Sequence, residues 1–161
     1  MQPPEPQTQH LWLQKLLGEW IVESECSMGP DQPPTKNSGR EVVRSLGKLW
    51  TIGEGTVDTP DGGSCDSIMT LGFDPQAERF VGTFIVSVMT HLWPYDGQLD
   101  STGKILTLNS VGPSFAGDGT MAKYQDIIEF VSDNHRTLSA RVQDVDGVWQ
   151  QFMTAHYHRK M

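Results

Sequence analysis

The chain has 161 residues, which fits one domain, and a core of that size needs neither a disulfide nor a metal. Its 12 Lys and Arg residues against 20 Asp and Glu give a net charge of −8, which disfavours nucleic acid and anionic membranes as partners. No run approaches ~18 apolar residues, and we do not expect the Pro- and Gln-rich start to act as a signal peptide. We therefore expect a cytoplasmic protein with no membrane segment.

The first predicted element is a short helix. Residues 1–9 read as a flexible tail, and residues 10–161 as a single domain. In His10–Leu17, Leu13, Leu16 and Leu17 recur at i, i+3 and i+4, the spacing of a short amphipathic helix.

Everything after Gly18 has the pattern of strand and turn. Glu19–Cys26 alternates, with Trp20 and every second residue after it on one face, as in a strand with one wet side. A loop follows over Met28–Gly39, which contains three prolines and two glycines. This loop falls where fatty-acid-binding barrels have their portal, so we expect the mouth of a cavity beside it.

Nine further strands are predicted, most of them separated by turn residues. They are Arg40–Leu46, Leu49–Val57, Ser64–Phe73, Arg79–Thr90, Tyr95–Asp100, Lys104–Val111, Met121–Val131, Arg136–Val145 and Val148–His158. No helix is long enough for a crossover between parallel strands. Closing such a sheet removes its unpaired edges. The sequence predicts an all-β fold, a closed antiparallel up-and-down barrel of about ten strands with a short N-terminal helix.

The strand Arg79–Thr90 is apolar on both faces. Phe80 and Phe84 lie on one face, and the opposite face carries the stripe Val81, Ile85 and Met89. A strand of this kind must be covered on both sides. The outer cover is either the N-terminal helix or a second protomer, so a homodimer is one of two expectations.

Two sets of motifs resemble known proteins. Leu16-Leu17-Gly18-Glu19-Trp20 resembles the Gly-x-Trp opening of calycins, the lipocalin and fatty-acid-binding-protein-like barrels, in which the tryptophan plugs the closed end. The segments Leu71-Gly72-Phe73-Asp74-Pro75, Arg79-Phe80-Val81-Gly82 and Tyr157-His158-Arg159-Lys160 resemble the bacterial domain of unknown function 1579 family. The resemblance implies a closed barrel with a central cavity and no established activity.

Polar residues on apolar strand faces are the candidate site. Asp126 shares a face with Tyr124, while Arg141 and Tyr157 lie on the last two strands. If Asp126 and Arg141 point inward, each needs the other or a ligand as its partner. Fatty-acid-binding barrels similarly hold a carboxylate with interior arginine and tyrosine. The alternative is that Arg141 lies outward in water.

We predict a noncatalytic binding module for a small apolar or amphipathic molecule. The predicted ligand-binding residues are Trp20, Met69, Phe84, Tyr124, Asp126, Arg141, Met153 and Tyr157. No catalytic residue, metal or cofactor is predicted, because the common catalytic motifs are missing. The alternative is an enzyme that uses the Asp126, Arg141 and Tyr157 cluster.

The pair His156-x-His158 raises two further alternatives. On a strand, both imidazoles point to one face, and His91 or Asp126 could complete a metal site. In a barrel similar to nitrobindin, either residue of the pair could be the axial ligand of a haem. The simpler interpretation places both histidines on the solvent face.

Overall fold

The structure, a computed structural model, describes residues 1–27 and 31–161 and shows a closed antiparallel barrel of ten strands. A helix, α1 (Thr8–Leu13), continues into a 3₁₀ turn, Gln14–Leu16. The strands are β1 (Gly18–Cys26), β2 (Thr35–Leu46), β3 (Trp50–Asp58), β4 (Ser64–Asp74), β5 (Arg79–Val86), β6 (Trp93–Leu99), β7 (Ile105–Pro113), β8 (Met121–Ser132), β9 (His135–Gln143) and β10 (Trp149–Arg159). Each strand pairs with the next, and β10 pairs with β1. The predicted fold is confirmed.

Several predicted boundaries are wrong by a few residues. β2 begins at Thr35, because its polar first residues continue the ladder with β1 up to the pair Cys26 and Thr35. β5 ends at Val86, and the helix begins at Thr8, inside the predicted tail. Of the predicted loop, Met28–Pro30 lies outside the described residues, and 35–39 is strand. Polar strand ends carry no apolar alternation, so sequence patterns miss them.

The helix and the 3₁₀ turn cover one end of the barrel, here called the helix end. Trp12 donates from Nε1 to the carbonyl oxygen of Gly103 at 2.6 Å, and its ring meets those of Phe80 and Phe130 edge-on. Leu13 and Leu16 are buried beneath it. Within the described ranges, neither this helix nor any other is long and apolar enough to cross a membrane.

Gly18 starts β1 in a conformation that only glycine adopts readily, with φ of 122°. A Cβ atom there would also lie 2.7 Å from Nη1 of Arg159. That arginine donates to the carbonyl oxygen of Leu17 at 2.6 Å, and its guanidinium lies 4.2 Å from the Trp20 ring centre. Trp20 is 1% exposed and donates from Nε1 to Leu16. The Gly-x-Trp segment thus places a fully buried tryptophan at the helix end.

Candidate functional site

The inward-facing side chains change from buried to partly exposed as the strands leave the helix end. In β1, Trp20 and Val22 are buried, whereas Ser24 and Cys26 are only half-buried. β2 and β5 show the same change, whereas the inward-facing residues of β7 are buried along the whole strand. The half-buried interior residues of the barrel include Met69, Phe84, Asp126, Met153 and Tyr157. Because these side chains face inward, their remaining accessible surface belongs to a space inside the barrel. We call this space the lumen, and the half that contains it the open half.

Asp126 is the acidic centre of the lumen. It accepts a hydrogen bond from the hydroxyl of Tyr95, which is 5% exposed. Burial raises the pKa of Asp126 to about 6, although the hydrogen bond from Tyr95 acts in the opposite direction. In the described part of the chain, no Lys, Arg or His forms an ion pair with this carboxyl group.

A second interior charge is neutralised within the protein. Arg136, 3% exposed, donates from Nη2 to Oε1 of Glu41 at 2.6 Å. Its guanidinium lies 4.6 Å from the Trp20 ring centre and 4.0 Å from that of Tyr157. These two aromatic faces stabilise the cation and hold it in one geometry.

Tyr157 lies close to both interior carboxylates. Burial raises the pKa of its hydroxyl far above the ordinary value, the charges of Glu41 and Asp126 raise it further, and Arg136 opposes them. The pKa of Tyr95 is also raised, first by burial and then by Asp126. Both phenols are therefore neutral at physiological pH, and the Tyr95 hydroxyl is the one that donates to Asp126.

Some interior polar atoms lack a partner. Among the described residues, these are Asn37 Oδ1, Ser110 Oγ and Arg136 Nε. A cavity of about 20 Å³ borders Arg136 and Glu41 together with Met69, Leu71 and Ile128, which is room for about one water molecule. Unpaired buried polar atoms are uncommon in folded proteins, and a water or a ligand commonly satisfies them.

Aromatic rings gather at the open end. The Trp93 ring lies over Gly112, where a Cβ atom would come within 2.0 Å of it. The rings of Trp93 and Tyr124 meet edge-on with centres 4.8 Å apart, and Phe115 and Phe152 extend the group. The hydroxyl of Tyr124 donates to the carbonyl oxygen of Pro113. Tyr124 is therefore held at the rim, while Tyr95 supplies the phenol at Asp126.

Of the two alternatives for Arg141, the structure shows the outward one, so Arg141 does not meet Asp126 inside the barrel. Asp126 is paired in register with Ala140, so the neighbouring Arg141 points to the opposite face. There Arg141 donates from Nε to Oε1 of Gln125 at 2.7 Å, and its guanidinium lies 5.0 Å from the Trp149 ring centre. The interior arginine is Arg136. Apolar residues alternate with Arg141 in β9, and that phase indicates which arginine faces inward.

The histidine pair is on the outer face of β10. His156 and His158 are exposed, and His135 of β9 joins them, with its Nε2 3.0 Å from Nδ1 of His156. His91 is elsewhere, with Nε2 2.9 Å from the carbonyl oxygen of Val111. Neither His156 nor His158 can ligate a haem inside the barrel. No group of three or more His, Cys, Asp or Glu within residues 1–27 and 31–161 is arranged to hold a metal ion.

The chain matches the model of a family described as a protein of unknown function, DUF1579, over residues 5–159. The chain belongs to that family, so the predicted resemblance to the domain of unknown function 1579 family is confirmed. No curated protein matches the chain.

The fold is similar to those of solved structures at low sequence identity. The crystal structure of Rv2717c from M. tuberculosis has a TM-score of 0.67 and 15% identity, with 98% of this chain and 100% of that chain covered. The structure of EF1p2_mFAP2b bound to DFHBI has a TM-score of 0.52 and 13% identity, with 95% of this chain and 100% of that chain covered. The redesigned β barrel mFAP0 bound to DFHBI has a TM-score of 0.50, 14% identity, and 91% and 100% coverage. Sequence identities this low support a similarity of fold and nothing further.

Proposed function

We propose that this protein is a noncatalytic binding module that holds a small apolar or amphipathic molecule in the lumen. The observation that carries the proposal is the set of inward-facing side chains that keep accessible surface around Asp126. Met69, Phe84 and Met153 supply an apolar lining, while Tyr157 and Asp126 supply a few polar groups. Small-molecule sites commonly have this composition.

The fold supports the same proposal. A ten-strand barrel is wider than an eight-strand one, whose interior just accommodates its own side chains or one small ligand. Two barrels of similar fold are described as bound to DFHBI, so this architecture has room for a small molecule. The helix at one end and the Gly-x-Trp segment support a calycin-like assignment of the barrel.

Titration with Nile red, an apolar dye whose emission depends on its surroundings, tests the proposal. We expect saturable binding of one dye per chain. Ser67→Trp, which fills the lumen from β4, should abolish binding, whereas Ile68→Trp, outward on the same strand, should not. Melting curves of both variants verify folding. Binding that Ser67→Trp leaves unchanged contradicts the proposal, as does the absence of saturable binding.

One observation favours catalysis as a second candidate. A carboxyl group with a pKa of about 6 that accepts a hydrogen bond from a phenol suits proton transfer near neutral pH. The predicted catalytic cluster is reduced to Asp126 and Tyr157 with Tyr95, because Arg141 is outside. Any small molecule retained on the purified protein should be incubated with wild type and Asp126→Asn and followed by chromatography. Conversion by wild type alone supports an enzyme.

A further inference from the structure

The charges inside the barrel decide which ligand the lumen accepts. Arg136 is paired with Glu41, and Arg159 at the helix end donates to the carbonyl oxygens of Lys15, Leu17 and Asp133. The Arg136 charge is thus compensated by Glu41, although its Nε atom has no partner among the described residues, and the donors of Arg159 are used at the helix end. Among the described residues, the acidic group left without a cationic partner inside the barrel is Asp126.

The Asp126 carboxyl group also has spare hydrogen-bonding capacity. Oδ2 accepts from Tyr95, and no other donor among the described residues reaches the group. An ionised carboxylate accepts at both oxygens, with about four lone-pair positions. A buried carboxylate with one neutral donor is costly unless something further pairs with it. A ligand cation removes that cost, while a ligand anion increases it.

The surroundings of the lumen favour the same charge. The net charge of −8 attracts cations toward the protein and repels anions. At the open end, a cluster of edge-on ring contacts joins four aromatic residues, Trp93, Phe115, Tyr124 and Phe152. Aromatic faces attract organic cations, whose apolar bodies they also desolvate.

We propose that the ligand is an organic cation, a protonated amine on an apolar body, whose nitrogen binds Asp126 between Tyr95 and Tyr157. This inference rests on the proposed binding function and names the ligand class. The proposed cation replaces the carboxylate ligand expected from the sequence, because that expectation required Arg141 to lie inside the barrel.

Three naphthalene probes of nearly equal size test it: 1-naphthylmethylammonium, the neutral 1-naphthalenemethanol and the anion 1-naphthoate. Calorimetric titration at pH 7 should show the ammonium binding at least tenfold more tightly than the alcohol, and 1-naphthoate most weakly. In Asp126→Asn the ammonium should lose that preference, while the alcohol keeps its affinity and reports an intact lumen. Glu129→Gln, an equal change of charge on the outer face of β8, should leave all three unchanged.

Wild type alone gives a second test. The groups that face Asp126 are the phenols of Tyr95 and Tyr157, with the Glu41 and Arg136 pair beyond. Between pH 7 and pH 5 the ionised fraction of a carboxyl group with a pKa of about 6 falls about tenfold. Affinity for the ammonium should fall about tenfold over that range, and affinity for the alcohol should not change.

The outcomes separate the two proposals. If none of the probes binds, the binding function itself is overturned. If the alcohol binds and the ammonium is no tighter, or 1-naphthoate is tightest, the lumen accepts ligands and the inference about cations is overturned. An ammonium preference that survives in Asp126→Asn also overturns it.

Discussion

The helix end and the open half differ in how their polar groups are satisfied. At the helix end, Trp12, Trp20 and Arg159 all donate to carbonyl oxygens of the chain. In the open half, Asp126 has one donor, and Ser110 Oγ has no partner among the described residues. Proteins commonly keep such locally unfavourable features where function requires them and compensate elsewhere. The packed end therefore supplies stability, and the open half supplies the surface on which the proposed binding function rests.

The largest expected effect is at the helix end. Trp20→Ala should lower the free energy of unfolding by about 3–5 kcal/mol, the range for removing a core aromatic. Phe84→Ala in the open half should cost about half as much, because Phe84 borders open space and makes fewer contacts. Urea unfolding of both variants measures the difference. Equal costs would mean that the two halves are packed alike.

Breaking the interior ion pair should have the next largest effect. Arg136→Met leaves the Glu41 carboxylate buried without a partner and should cost about 3 kcal/mol. Adding Glu41→Gln should recover most of that loss, since no uncompensated charge remains. The matched control is Arg79→Met, which removes an exposed pair with Asp96 and should cost less than about 1 kcal/mol. If Arg136→Met lowers the free energy of unfolding as little as Arg79→Met does, the Arg136 and Glu41 ion pair does not stabilise the barrel interior.

Asp126→Asn should stabilise the protein by about 1–3 kcal/mol at pH 8. The folded pKa of about 6 lies above the usual value of 3.8, so between these two pH values the folded state holds a proton that the unfolded state has lost. Stability therefore falls as pH rises through this window and stays lower above it. Thermal unfolding should show the gain at pH 8 and none near pH 4. A variant less stable than wild type at pH 8 would contradict the assigned environment of Asp126.

The sequence predicted the barrel more fully than the site. Turn residues and the alternation of polar and apolar residues determine the number of strands. In β8, Ile128 and Phe130 share a face with Asp126, and their apolar side chains indicate that this face points inward. The error at Arg141 has a local cause, because β9 carries an arginine in each phase, and the apolar residues Leu138, Ala140 and Val142 share the phase of Arg136. The sequence did not predict Tyr95 as the donor to Asp126, because the two residues meet only through the pairing of β6 with β7 and of β7 with β8. No local sequence pattern encodes those pairings.

The smallest expected effect on stability concerns the outer face of β5. Ile85 is 44% exposed beside Ile68 of β4, and Met89 lies beyond the end of the strand, which shortens the predicted stripe to Val81 and Ile85. An apolar stripe on an outer sheet face is most simply covered by a twofold-related copy. We expect wild type to sediment as a dimer at micromolar concentration. Ile85→Glu should give a soluble monomer and change the unfolding free energy of the isolated barrel by less than about 0.5 kcal/mol, since it alters an exposed position. Thr107→Glu, outward on β7, is the control and should leave the sedimentation unchanged. A monomeric wild type would show that the outer face of β5 is stable in contact with water, and it would contradict the predicted homodimer.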